Sequence, residues 1–146
     1  VNSRLDEIQA ALLRTKLTHL PALTEERREI AAQYLVGIKN EHILLPQIRE
    51  GAEHVYHQFV VRTSSRDHFK AYLHAHGIET VIHYPIPPHL AECYAYLGHA
   101  HGSFPRAEQY ADEVLSLPIF NGMRTDEIAY VIDTVNAYRP FAAQSV

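Results

Sequence analysis

Residues 54–63 read HVYHQFVVRT, and this stretch decides the fold class. It is rich in aromatic and β-branched residues that partly alternate with polar ones, which is typical of a β-strand. Ser64 or Ser65 can cap a following helix, and Gly77 can end it. Four residues share one face of that helix: Phe69, Tyr72, Leu73 and His76. The sequence therefore predicts a strand, a turn and a helix in succession.

Two more strands and two more helices are predicted downstream. Residues 78–84 (IETVIHY) alternate as a strand until the prolines from Pro85 onward withdraw the amide donors that a sheet needs. Pro105 suits the first turn of a helix, and residues 115–120 can form a short strand. Thr125 opens a last amphipathic helix. We expect an α+β fold with a small, mostly antiparallel, three-stranded sheet covered by helices.

A long helical segment is predicted upstream of the first strand. Its apolar residues recur at three- and four-residue spacing from Leu5, and the pattern resumes after Pro21 to end near Gly37. This indicates a long helix kinked near Pro21, or two helices that meet there. We assign residues 1–40 to a helical segment that would pack on a missing large domain. Residues 41–146 would form a small C-terminal α+β domain.

The composition excludes several classes of protein. With 47% apolar and 21% charged residues, the chain is neither disordered nor fibrous. It has no apolar run near the roughly 20 residues of a membrane span. A net charge of −4 with scattered basic residues argues against binding to nucleic acid. The single cysteine, Cys93, fits a reducing compartment, and we expect a cytoplasmic protein.

The chain begins at Val1 without a methionine, and the helical pattern begins without a leader. We therefore expect a piece cut from a longer protein.

The eleven histidines raise the question of a metal site. His74 and His76 are two residues apart on a predicted helix and point to different sides, and no cysteine pair or carboxylate cluster completes a ligand set. We expect surface or hydrogen-bonded histidines and no metal. Cys93 lies in an apolar, aromatic stretch without a basic neighbour, which favours a buried structural thiol over a nucleophile.

Two stretches could bind a ligand. Residues 2–4 place the amide of Asn2 and the guanidinium of Arg4 at a predicted helix start, where free backbone donors favour an anion such as phosphate. The alternative is a cap and a solvated arginine. His83 and Tyr84 end a predicted strand before a stiff proline loop, a common ligand position. The alternative is two rings that pack this loop onto the sheet.

The sequence resembles the DegT/DnrJ/EryC1/StrS sugar aminotransferases, which are pyridoxal-phosphate (PLP) enzymes of the aspartate aminotransferase fold type. The resemblance covers nearly the whole chain and follows the family's order. The matching stretches are residues 2–17 (NSRLDEIQAALLRTKL), 26–34 (ERREIAAQY), 54–62 (HVYHQFVVR), 77–90 (GIETVIHYPIPPHL), 104–120 (FPRAEQYADEVLSLPIF) and 125–135 (TDEIAYVIDTV).

The resemblance implies transfer of an amino group from glutamate to a keto sugar nucleotide, in a homodimer whose PLP sites are each built from both subunits. It implies that Asn2 reaches the cofactor phosphate of the partner subunit. Arg4, His83 and Tyr84 would bind the nucleotide-sugar substrate.

The family's Schiff-base lysine motif is not found in this sequence. The chain has three lysines, and each is better explained as a solvated charge than as a Schiff-base group: Lys16, Lys39 and Lys70. We therefore expect the chain alone to be inactive. Two alternatives stay open: a PLP-dependent sugar dehydratase of the same family, and a non-catalytic dimerisation or regulatory module.

Overall fold

The computed structural model describes residues 4–140 of the chain. Along the chain these residues form five α-helices and two strands: α1 Glu7–Leu17, α2 Leu20–Gly37, β1 Phe59–Arg62, α3 Arg66–Ala75, α4 Pro105–Glu113, β2 Val114–Leu117 and α5 Thr125–Ala137. Two 3-10 turns, Pro88–Leu90 and Glu92–Leu97, follow the proline loop. The fold class is α+β, as predicted, and the sheet is smaller than predicted.

The sheet consists of β1 and β2, paired antiparallel with Phe59 opposite Leu117. The prediction of a three-stranded sheet is not confirmed, because the segment 78–84 contributes only one bridge, between Val81 and Ser116. The prolines that follow it cannot donate to a ladder, so the pairing does not extend. A second bridge joins Leu44 to Arg62 on the other side of the sheet.

The first strand is also shorter than residues 54–63. Tyr56 has a φ of +47°, in the left-handed region that an extended strand cannot accommodate. Residues 54–58 therefore form a loop, and its backbone carbonyls are bound by Arg27 of α2, which donates to the oxygens of Tyr56 and His57. Only Phe59–Arg62 is extended and paired.

The core lies between the sheet and the helices α2, α3 and α5. Its largest fully buried side chains come from all of these elements: Tyr34, Phe59, Phe69, Leu73, Leu115 and Val135, together with Tyr138 just after α5. Burying each such side chain contributes about 1.5–3 kcal/mol. The helices α2 and α5 approach closely, since a Cβ added at Gly37 would lie 2.7 Å from Cδ1 of Ile132.

The N-terminal segment is two helices rather than one kinked helix. Thr18 and His19 separate α1 from α2, and Pro21 lies in the first turn of α2. Proline suits that position because the first-turn amides have no partner within a helix, so the chain starts a new helix there.

The two helices differ in burial. Among the described residues, α1 buries none of its side chains, and Ile8 and Leu12 are largely exposed. In contrast, Ile30 and Tyr34 of α2 belong to the core. The division of the chain at residue 40 stays a prediction.

Candidate functional site

Asn2 lies outside the described residues. Arg4 is exposed, and no residue between 4 and 140 forms an ion pair or hydrogen bond with it. The helix begins at Glu7 rather than at Arg4, with Asp6 as its cap. Oδ1 of Asp6 accepts a hydrogen bond from the amide of Gln9 at 2.9 Å. The Asp6 carboxylate therefore satisfies this first-turn donor, which is not left free for an anion. Arg4 lies three residues before the first residue of the helix.

His83 and Tyr84 lie between Val81, which forms the bridge, and the proline loop that begins at Pro85. Nδ1 of His83 is 2.9 Å from Oγ of Ser116 in β2, so the half-buried imidazole is attached to the sheet. The peptide bond between His83 and Tyr84 is cis. The two rings stand perpendicular to each other with their centroids 5.5 Å apart.

Tyr84 projects from this strand end with 73% of its surface exposed. Its hydroxyl has no hydrogen-bond partner among the residues that the structure describes. Nε2 of His83 is likewise unpaired within residues 4–140. The strand end thus presents two polar ring atoms that are available to a ligand. The contacts that place these two rings do not involve Arg4.

Glu108 of α4 anchors the chain that follows the proline loop. Its carboxylate accepts hydrogen bonds from Nε2 of His89 at 2.9 Å and from the amides of Gly102 and Phe104, and His101 approaches it at 3.3 Å. The amide of Gly102, with that of Phe104 and the two imidazoles, lowers the pKa of Glu108 to about 2. This carboxylate therefore stays ionised and ties two chain segments, the turn with His89 and the loop 101–104, to α4.

Two sequence predictions about reactive side chains can be compared with the structure. Cys93 is exposed, so the prediction of a buried thiol was wrong. The short 3-10 turn Glu92–Leu97 buries none of its residues, and the apolar neighbours of Cys93 therefore do not cover it. Within residues 4–140, no group of three or more histidine, cysteine, aspartate or glutamate residues is arranged to hold a metal ion.

Ser116 was missed by the sequence reasoning. It is the one polar residue of β2, whose four residues, VLSL, are all buried. A serine inside such an apolar run could have signalled a buried polar partner, although nothing in the sequence identifies His83, 33 residues away, as that partner.

The described residues define an α+β domain with a polar strand end that is open to a ligand. Residues 1–136 match the DegT/DnrJ/EryC1/StrS aminotransferase family, and the chain belongs to this family. Two of the solved structures that the chain resembles are the PMP and PLP forms of a putative sugar aminotransferase, Spr1654 of Streptococcus pneumoniae, each 25% identical. In the described part of the chain, every helix is too short or too polar to cross a membrane.

Three relatives illustrate the likeness. The dTDP-3-amino-3,6-dideoxy-alpha-D-galactopyranose transaminase of Aneurinibacillus thermoaerophilus is 49% identical over 138 residues, which are 94% of this chain and 38% of the relative. A pleiotropic regulatory protein of Geobacillus stearothermophilus is 41% identical over 97% of this chain and 39% of the relative. The crystal structure of S. venezuelae DesV, in complex with a ketimine intermediate, has a TM-score of 0.88 and 44% identity.

The match with DesV covers 93% of this chain and 37% of DesV. The chain therefore spans less than two fifths of the length of each of these three relatives.

Proposed function

We propose that this chain is the C-terminal part of a PLP-dependent nucleotide-sugar aminotransferase, which transfers an amino group from glutamate to a keto sugar nucleotide. The observation that carries the proposal is the 49% identity with a transaminase named for a dTDP-linked amino sugar. The exposed Tyr84 and the unpaired Nε2 of His83 support it, because they offer polar contacts at one surface position. We place the enzyme in the cytoplasm, in keeping with its single cysteine.

The active site would be shared between the two subunits of a homodimer. Asn2 would bind the PLP phosphate of the partner subunit, and Arg4, His83 and Tyr84 would bind the nucleotide sugar. Arg4 suits this role because its guanidinium has no partner among residues 4–140 and can pair with phosphate oxygens. The exposed apolar side chains of α1 also fit a helix that is covered in a larger assembly.

We do not expect this chain to bind PLP tightly by itself. When bound, PLP would supply an electron sink for carbanion chemistry, and a lysine would hold it in the resting enzyme. Such a lysine needs a desolvated site that lowers its pKa, whereas Lys16, Lys39 and Lys70 are all exposed. We therefore propose that this chain alone does not transaminate, and that the lysine belongs to the rest of the enzyme.

Two other functions differ in what they require. A sugar dehydratase of the same family would have another base in place of the lysine, so residues upstream of Val1 decide between the two reactions. A non-catalytic association or regulatory module is favoured by the 41% identity with a pleiotropic regulatory protein. Gel filtration with a titration of dTDP-glucose separates this module from a substrate-binding part, because a pure association module would dimerise and bind no sugar nucleotide.

The main proposal is tested in a hybrid enzyme. The matching 138 residues of the A. thermoaerophilus transaminase are replaced by this chain, so that the host part supplies the Schiff-base lysine. Glutamate alone should convert the bound PLP to its amine form, which changes the absorbance spectrum and needs no sugar substrate. The unaltered host enzyme is the positive control. A hybrid that folds and retains PLP but does not react with glutamate would contradict the proposal.

A further inference from the structure

The hydroxyl of Ser116 is held in place by the sheet. The backbone of Ser116 pairs with Val60 of β1 on one side and with Val81 on the other. The amide of Ser116 donates to the oxygen of Val81 at 2.8 Å, two residues before His83. Ser116 is 7% exposed. The backbone pairing therefore fixes Cα and Cβ of Ser116 beside the segment that carries His83, and the residue as a whole has little exposure to solvent.

The hydrogen-bonding capacity of the two groups defines the histidine tautomer. Among the described residues, the Ser116 hydroxyl has one hydrogen-bond partner, Nδ1 of His83. If Nδ1 carried the proton, it would donate to Oγ and the buried hydroxyl would have no acceptor for its own hydrogen. If the hydroxyl donates to Nδ1 instead, both groups are satisfied. A neutral imidazole then carries its proton on Nε2.

We propose that Ser116 is a positioning residue, which holds His83 as the Nε2–H tautomer and makes it a hydrogen-bond donor toward the substrate. The expected acceptor is a phosphate or sugar oxygen, a role that rests on the proposed nucleotide-sugar function. Because Nε2 already carries a proton in this tautomer, His83 cannot remove a proton from the substrate through that atom. It binds the substrate and does not act as a base.

Nuclear magnetic resonance tests the tautomer on the chain itself. In protein labelled with ¹⁵N-histidine, long-range ¹H–¹⁵N spectra distinguish a protonated ring nitrogen from a bare one. They are recorded well above the ordinary imidazole pKa of about 6.5. The His83→Gln variant identifies the signals of His83 among the eleven histidines. We expect Nδ1 to be bare and Nε2 to be protonated. A protonated Nδ1 in the unaltered protein overturns the proposal.

Two variants test the role of the hydroxyl. Ser116→Ala should shift His83 to a mixture of tautomers, and Ser116→Thr should restore the Nε2–H form because it keeps the hydroxyl. Amide spectra establish that each variant is folded. Ser103→Ala is the matched control, since its hydroxyl binds the amide of Ala100 in an exposed loop and should leave His83 unchanged. Identical His83 signals in the folded Ser116→Ala variant and the unaltered chain would overturn the proposal.

Kinetics in the hybrid enzyme separate this inference from the proposed function. Ser116→Ala should raise the KM for the host's sugar nucleotide severalfold with a smaller change in kcat, and Ser116→Thr should reverse the effect. If His83→Ala raises the KM and the folded Ser116→Ala variant does not, the positioning role is wrong. If His83→Ala leaves the KM unchanged, the binding role of His83 is wrong, while the tautomer is still decided by the spectra.

Discussion

Glu108 accepts a hydrogen bond from Nε2 of His89 at 2.9 Å, which joins α4 to the 3-10 turn that follows the proline loop. The same carboxylate binds the amides of Gly102 and Phe104. One ionised side chain thus fixes the chain on the C-terminal side of His83 and Tyr84, while Ser116 fixes His83 from the sheet. The position of the strand end depends on both attachments.

Stability should depend on pH through Glu108. Its pKa is lowered from 4.5 to about 2, first by the amide of Gly102. Because the folded pKa lies below the unfolded one, this contribution is fully present above about pH 4.5 and is lost as the pH falls toward 2. Urea unfolding at a series of pH values should show a smaller loss of stability over this window in Glu108→Gln than in the unaltered chain.

Glu92→Gln is the control for this prediction, because Glu92 is exposed and forms no ion pair among the described residues. The Glu92→Gln variant should lose as much stability as the unaltered chain across the same pH window. If the free energy of unfolding falls equally with pH in Glu108→Gln and in the unaltered chain, the Glu108 carboxylate does not contribute to the pH dependence.

Tyr34→Phe should destabilise the fold. The hydroxyl of this fully buried tyrosine donates to the carbonyl of Pro118 at 2.8 Å. Its removal leaves that oxygen without this donor, which costs about 1–3 kcal/mol. Urea denaturation measures the free energy of unfolding. Tyr96→Phe is the matched control, since Tyr96 is 79% exposed and should change stability by less than about 0.5 kcal/mol.

Arg27 should be needed to keep two loops, residues 54–58 and 119–121, in their ordered conformations. Its Nη1 donates to the carbonyls of Tyr56, His57 and Ile119, and its Nε donates to Oδ1 of Asn121. A lysine has a single ammonium group and cannot reproduce this fork, so Arg27→Lys should open both loops. Hydrogen exchange should accelerate by tenfold or more, on the order of 1.4 kcal/mol, at residues 54–58 and 119–121 and much less in α5. An acceleration of exchange in α5 equal to that in the two loops would contradict this prediction.

The proposed site residues should have separable effects in the hybrid enzyme. Asn2→Ala should weaken retention of PLP, measured by the cofactor absorbance after dialysis. His83→Ala and Tyr84→Phe should mainly raise the KM for the sugar nucleotide, because they would contact the substrate and not the cofactor. Tyr130→Phe is a control for the tyrosine, since its hydroxyl binds the carbonyl of His76 within the same subunit. Unchanged retention and kinetics in all three site variants would refute the assignments.

The sequence predicted the helices better than the sheet. The helix α4 begins at Pro105 and α5 at Thr125, as predicted, because proline and acidic first-turn residues mark helix starts locally. The strand predicted at residues 54–63 was too long, because Tyr56 has a positive φ in a loop that Arg27 of α2 binds. Strand length is decided by pairing between distant segments, and local residue types do not contain that information.

The candidate site was predictable only in part. His83 and Tyr84 could be proposed from the sequence because a strand that ends against prolines is a local pattern, and their role stays a prediction. Ser116 was not, since its contact with His83 joins residues 33 positions apart. Cys93 was misjudged for a related reason: its apolar neighbours indicated burial, whereas the turn that contains it lies at the surface.

The most direct test of the central claim is complementation between two hybrid enzymes with different defects. One lacks the Schiff-base lysine of the host part, and the other has Asn2→Ala together with His83→Ala. They are co-expressed with different tags so that mixed dimers can be purified. If residues of this chain complete the partner's site, each mixed dimer has one intact site and should recover up to about half of the activity of an unaltered dimer. Activity is measured after dialysis and at a sugar-nucleotide concentration below the KM of the unaltered hybrid, where both parents are impaired. Mixed dimers no more active than the better parent would contradict a shared active site.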